Sequence, residues 1–225
     1  MVSRIWTING DFVMLRPTGV PRYAREVTVA LDQLISEGHP LTDGLALDLV
    51  VPRPVQDLRL RNVPIRVLPE YNKPRLPQLW VQAQLPRHVK GGLLSFCNLA
   101  PVFVTPHIVC IHDLYSWTNP ESFSLGFRVA HRVIQPLLGR RVNRITTVSE
   151  LSRDQIIRYG VAPSDKITVT YNGADHALRW KAARSTLQLG DRPFVLCIGR
   201  GEKHKNMELI WRIAPALGEM GLHIS

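Results

Sequence analysis

Short apolar runs of strand type alternate along this chain with stretches of helical period, and no other feature constrains the fold as strongly. Leu45–Val51 is an almost continuous apolar run, the pattern of a strand in a sheet covered on both faces. Ile5–Ile8, Ile65–Leu68, Leu93–Phe96, Ile108–Ile111, Arg144–Val148 and Ile167–Tyr171 read as further strands. Between them, Tyr23, Ala24, Val27, Leu31, Leu34 and Ile35 recur on one helical face, and Phe123–Leu138 shows the same period. Such alternation predicts an α/β fold with a doubly wound parallel sheet.

The punctuation agrees with these elements. Pro21 follows Thr18-Gly19-Val20 and suits a first helical turn, where its missing N–H would have no partner anyway. Gly38 ends that helix. Prolines 52, 54, 64, 69, 74 and 77 fill a loop region, and Leu79–Leu85 reads as helical. Ser149 can cap a helix from Glu150 to Tyr159, which Gly160 closes. Asn172-Gly173 is expected to be a turn with positive φ. The expected organisation is a complete first domain over residues 1–173, a linker with a short helix over 174–193, and the start of a second domain over 194–225. That second part reads as strand, glycine turn, helix to about Met220 and the opening of another strand at Leu222–Ile224, an incomplete set of layers.

Lys and Arg number 28 against 18 Asp and Glu, giving a net charge of +10. An excess of this size favours anionic partners: phosphates, acidic lipid headgroups or nucleic acid. It also suits a merely solvated basic surface. No basic stripe interleaved with aromatics and no recognition motif supports nucleic acid. Apolar residues make up 45% and charged residues 20%, ordinary for a globular protein. Three cysteines, Cys97, Cys110 and Cys197, fit a reducing compartment better than a disulfide framework. No run of 18 apolar residues, the length expected of a membrane span, occurs in the sequence, and Met1–Asn9 lacks the apolar core of a signal peptide. The expected location is cytoplasmic, with peripheral contact at the inner membrane face.

Chemistry concentrates at Gly199-Arg200-Gly201-Glu202-Lys203-His204-Lys205-Asn206. A strand, a glycine turn, the cations Arg200 and Lys205 and a following helix N-terminus together suit a diphosphate, since backbone amides and the helix dipole add partial positive charge. Two solvated loop cations explain the same residues, as does a helix-surface pair between Lys205 and Glu208.

Thr18-Gly19-Val20-Pro21-Arg22-Tyr23, Ile111-His112-Asp113-Leu114 with Pro120-Glu121, Thr147-Val148-Ser149-Glu150-Leu151-Ser152-Arg153 leading to Asn172-Gly173, then Gly199-Arg200 and His204-Lys205-Asn206, stand in one order along the chain. This ordered set resembles the GT-B glycosyltransferases, specifically the family-4 retaining enzymes that add mannosyl or rhamnosyl units to polysaccharides. The resemblance implies a Rossmann-like N-terminal domain facing the acceptor and a second Rossmann-like domain holding the donor. The implied reaction moves a sugar from a nucleotide diphosphate-sugar, UDP- or GDP-linked, to a hydroxyl of a glycan or lipid-linked acceptor. No cofactor or metal is implied, because basic side chains neutralise the leaving diphosphate.

By the same resemblance His112 is the catalytic candidate, beside the transferred sugar at the carboxyl end of its strand. Arg200 and Lys205 would hold the donor diphosphate. Gly19 would let acceptor or phosphate approach the first helix, although the family's turn often has two glycines where this chain has Thr18-Gly19. Ser149, Glu150, Arg153 and Asn172 could reach the cleft. Each also has a structural explanation: a strand-end polar group for His112, a tight turn for Gly19, a cap for Ser149, surface charge for Glu150 and Arg153, a turn for Asn172. The family's pair of glutamates eight positions apart is not found in this sequence, so the chain is read as C-terminally truncated. The alternative function is accordingly an inactive remnant that binds a partner or an anionic lipid-linked glycan.

Overall fold

The computed structural model describes residues 4–71, 76–184, 193–199 and 205–224. Seven parallel strands form the main sheet: β1 Arg4–Asn9, β2 Leu45–Val51, β3 Ile65–Val67, β4 Gly92–Ser95, β5 His107–Cys110, β6 Arg144–Thr147 and β7 Ile167–Val169. Their spatial order is β3-β2-β1-β4-β5-β6-β7. The chain therefore builds outward from β1 in one direction and, from β4, in the other. In an open α/β sheet that reversal opens a crevice at the carboxyl ends of β1 and β4. The predicted doubly wound parallel sheet is the fold observed.

The main helices are α1 Val20–Ser36, α2 Leu125–Arg141, α3 Glu150–Arg158 and α4 Met207–Glu219. Strand alternation divides the core between the sheet's two faces. Ile8, Leu47, Leu49 and Val51 pack with Phe12, Ala24 of α1, Leu58 and Val63 in one cluster. Val50 and Leu93 pack with Leu68, Trp80, Val81, Leu85 and Val104 in another. The apolar run of β2 thus feeds both layers, which is why it shows little polar alternation.

Leu79–Leu85, expected as helical, is helical but irregular: it runs from an α turn at Pro77–Leu79 through a π-helical turn at Trp80–Gln84 into a 3-10 turn at Leu85–His88. Pro86 lacks an N–H and so cannot continue an α-helical ladder. Tertiary bonds hold the segment: Trp80 Nε1 donates to the Leu68 carbonyl at 2.8 Å, and Gln82 bonds both Ala100 O and Val102 N. Asn172-Gly173, expected as a turn with positive φ, is corrected by the structure: neither residue has positive φ.

By compactness the chain divides into Met1–Leu114 with Val129–Asn172, and Tyr115–Arg128 with Gly173–Ser225. The first unit contains the seven-stranded sheet. The second contains α4 and a two-stranded parallel sheet, β8 Phe194–Val195 with β9 His223–Ile224. The apolar run expected as a strand to Ile198 pairs with β9 at Phe194 and Val195, opposite His223 and Ile224.

Candidate active site

The crevice begins where β1 ends. Gly10 donates its N–H to the Val50 carbonyl at 2.8 Å, and a Cβ built there would lie 2.5 Å from that oxygen, so the close turn requires glycine. Asn9 is buried, accepts the Asp11 amide at 3.2 Å and reaches Ser95 at the end of β4. Gly19 then precedes α1 with φ 55° and ψ −124°, backbone that a side chain strongly disfavours. A Cβ at Gly19 would meet nothing within 4 Å: conformation, rather than crowding, selects glycine here. Gly19 has no side chain with which to cap α1, and the first-turn amides of a helix have no intrahelical acceptor.

His112 lies two residues beyond β5, on the same edge, and is buried. Its backbone N–H donates to Asn98 Oδ1 at 2.7 Å, and its Nε2 lies 2.9 Å from the Phe96 carbonyl. A carbonyl only accepts, so Nε2 carries the proton, and in the neutral ring Nδ1 keeps a lone pair. Burial holds the imidazole below its ordinary pKa, opposed by the Phe96 carbonyl and the Asp113 charge. A neutral ring with one nitrogen fixed is suited to accepting a hydrogen bond from a substrate hydroxyl.

Tyr23 stands edge-to-face on His112, with ring centroids 4.7 Å apart and planes at 90°. Its phenol faces the Cys110 thiol and the Thr170 side chain, and its pKa is pushed up to about 12, first by burial and then by Cys110. Cys110 is itself pushed up to about 11, chiefly by burial, and Cys97 well above its ordinary value for the same reason. Both therefore remain neutral thiols, and all three cysteines are free.

The other expected positions divide. Ser149 accepts the Ser152 amide at 3.1 Å and donates to Ser152 Oγ at 3.0 Å: it is the cap of α3. Glu150 and Arg153 pair with each other at 2.8 Å, one helical turn apart, and Arg153 also approaches Asp154 at 3.5 Å. Asn172 is exposed at the end of the first unit. Gly19 and His112 are thus brought to one edge and linked through Tyr23, with Ser149 at the carboxyl end of β6.

Lys205 belongs to the second unit and is exposed just before α4, whose preceding residue Asn206 is left-handed at φ 47°. Gly199 there lets the Met207 side chain approach its backbone, as a Cβ would fall 2.1 Å from the sulfur. Arg200 lies outside the described residues. Among the described residues no three His, Cys, Asp or Glu side chains gather as a metal-binding group, and no helix is long and apolar enough to cross a membrane.

Residues 17–178 match Glycosyltransferase Family 4, from just before the Gly19 turn to past β7. This chain is a member of glycosyltransferase family 4. No curated protein matches it. The family-4 match takes in Gly19, Tyr23, His112, Ser149, Glu150, Arg153 and Asn172. Sequence reasoning missed Tyr23, Asn98 and Thr170 as parts of the site. Tyr23 fits the helical core period of α1, Thr170 fell within the run expected as a strand, Ile167–Tyr171, and Asn98 occupies a loop with no periodic signal. Only the strand order brings them together.

Proposed function

We propose that this chain carries the chemistry of a retaining glycosyltransferase, moving a sugar from a UDP- or GDP-linked donor to a hydroxyl of a glycan or lipid-linked acceptor in polysaccharide synthesis. The observation that carries this reading is His112, neutral and fixed through Nε2, at the carboxyl edge of a family-4 sheet beside the Gly19 turn. In the reaction the bond from the anomeric carbon to the diphosphate oxygen breaks. A bond to the acceptor oxygen forms on the same face, and the acceptor proton leaves with the diphosphate. His112 accepts a hydrogen bond from a hydroxyl of the transferred sugar and so orients the anomeric carbon. Arg200 and Lys205 neutralise the charge that grows on the leaving diphosphate, where preorganised cations are most effective. The net charge of +10 supports peripheral contact with an anionic membrane surface when the acceptor is lipid-linked.

The test is release of UDP or GDP from UDP-glucose, UDP-galactose, GDP-mannose and GDP-rhamnose. The expected result is slow hydrolysis of one of them, lowered about 10- to 100-fold in His112→Ala, the equivalent of leaving a polar partner unpaired. No thermal shift and no nucleotide release with any of the four would overturn the reading.

A further inference from the structure

Tyr23 connects two parts of the site, the Gly19 turn and His112, directly. Its backbone N–H donates to the Gly19 carbonyl at 3.0 Å, the first hydrogen bond behind the left-handed turn. Its ring stands at 90° to His112 at 4.7 Å, and at 77° to Phe96 at 6.4 Å, the residue whose carbonyl holds His112 Nε2. Its phenol faces Cys110 at the end of β5 and Thr170 just past β7. Thr170 is in turn tied to β6, its N–H donating to the Thr147 carbonyl at 2.7 Å.

A half-buried tyrosine has only two side-chain torsions to order, and edge-to-face ring pairs at this separation contribute beyond their buried area. The contact is also directional. Nε2 is pinned by Phe96 O, yet one hydrogen bond leaves the imidazole free to roll about the N···O line. A perpendicular ring against it removes that freedom.

We propose that Tyr23 is a positioning residue for the transfer, setting the plane of His112 and coupling it to the Gly19 turn. Movement of that turn on ligand entry would then reach His112 through α1's first hydrogen bond and the Tyr23 ring. The inference rests on the role given to His112 above, but its test does not require turnover.

The test follows the His112 imidazole in the full-length chain labelled with ¹⁵N-histidine, by long-range ¹H–¹⁵N correlation, in the wild type, Tyr23→Phe and Tyr23→Leu. The wild type should show a single Nε2–H tautomer with cross-relaxation between the Tyr23 and His112 rings. Y23F keeps the ring and should keep both signals. Y23L keeps bulk but no ring, and should keep the Nε2–H tautomer while its His112 ring signals shift and broaden as the imidazole rolls, with native circular dichroism. If Y23L does not fold, Tyr23→Met replaces it, and the wild-type ring-to-ring cross-peaks remain decisive. Unchanged His112 signals in Y23L or Y23M, or no cross-peaks in the wild type, overturn the proposal. With a hydrolysed donor, Y23L should lower kcat about tenfold with KM within twofold, and Y23F should restore it. Failure of every donor in the wild type would sink the functional reading while leaving the His112 signals to decide the role of Tyr23.

Discussion

At the amino-terminal edge of the seven-stranded sheet the chain's own groups close on one another, whereas the carboxyl-terminal edge is built around glycines and one oriented imidazole. On the amino side Arg4 donates to the Leu41 and Asp43 carbonyls, Asn143 accepts the His107 amide, and Lys166 reaches the Gly139 and Arg140 carbonyls at the end of α2. Asp32 of α1 accepts the amides of Arg61, Asn62 and Val63 at 2.9, 2.7 and 2.8 Å, fixing the loop that leads into β3. On the carboxyl side Gly10 and Gly19 hold backbone close or left-handed, and His112 is fixed through one nitrogen only. The same seven strands thus support a self-sufficient edge and one shaped for a ligand. Substitutions at the first should alter stability alone; those at the second should alter function by more than their folding cost.

Asp32→Ala is the most severe break expected at the closed edge. Three amides lose a charged acceptor, and hydrogen bonds to charged groups contribute about 1.5–3 kcal/mol each. Urea unfolding should show a loss of roughly 3–5 kcal/mol, partly recovered in Asp32→Asn, which keeps one carbonyl oxygen. Donor hydrolysis per folded molecule should not change. A loss below 1 kcal/mol would mean the 61–63 loop is held by other contacts.

His107 sharpens the comparison through pH. It is fully buried at the first residue of β5, its Nε2 lies 3.0 Å from Ser95 Oγ, and burial pushes its pKa from 6.5 down to about 3, opposed by the Pro101 carbonyl. Above pH 6.5 the ring is neutral both folded and unfolded, so its burial adds no pH dependence there. Between pH 6.5 and 3 only the unfolded chain takes up the proton, so stability falls as pH falls, by about 1.4 kcal/mol per pH unit. From pH 6.5 to 4.5 the loss should approach about 2.7 kcal/mol, and His112, also depressed by burial, adds a loss of the same sign. His107→Gln should flatten the pH profile of the urea midpoint by about one proton's worth; an unchanged slope would assign the acid sensitivity elsewhere.

The strands and layers were largely legible in the sequence, the open edge only in part, and the closed edge's bonds from Arg4, Asp32, Asn143 and Lys166 not at all, since they join residues far apart in the chain. Continuous apolar runs at Leu45–Val51 and Ile108–Ile111 report burial on both faces, which physically requires helices on either side, so fold class followed from pattern. Gly19 and His112 were visible because left-handed backbone and a histidine at a strand's end are local facts. Tyr23 was not, since its spacing in α1 is that of any core residue and its partners come from β5 and the segment after β7. Asn172-Gly173 misled because the dipeptide favours a left-handed turn only where tertiary structure asks for one. The helical character of Leu79–Leu85 was legible, but not its π-helical and 3-10 backbone, which long-range bonds from Trp80 and Gln82 hold.

Gly19→Ala moves to the open edge. Its Cβ would enter free space, so the cost is backbone alone, about 1–3 kcal/mol for a residue forced into this region. Calorimetry should register that loss, and donor hydrolysis should fall by more than unfolding accounts for, because the α1 amides and Tyr23 both shift with the turn. A variant as active per folded molecule as the wild type would reduce Gly19 to a tight turn and return the Gly19 side of the crevice to the behaviour of the amino edge.

Ser149 gives the smallest and most discriminating effect. Its hydroxyl caps α3 through the Ser152 amide, and loss of such a cap costs about 1 kcal/mol, so Ser149→Ala should lower the unfolding free energy by that amount. Asparagine caps about as well as serine, and Ser149→Asn should restore stability. If capping is the whole of its role, S149N also hydrolyses donor at the wild-type rate. A variant with restored stability but depressed turnover would show the Ser149 hydroxyl touching substrate, and would extend the reactive part of the carboxyl edge from β5 across to the end of β6.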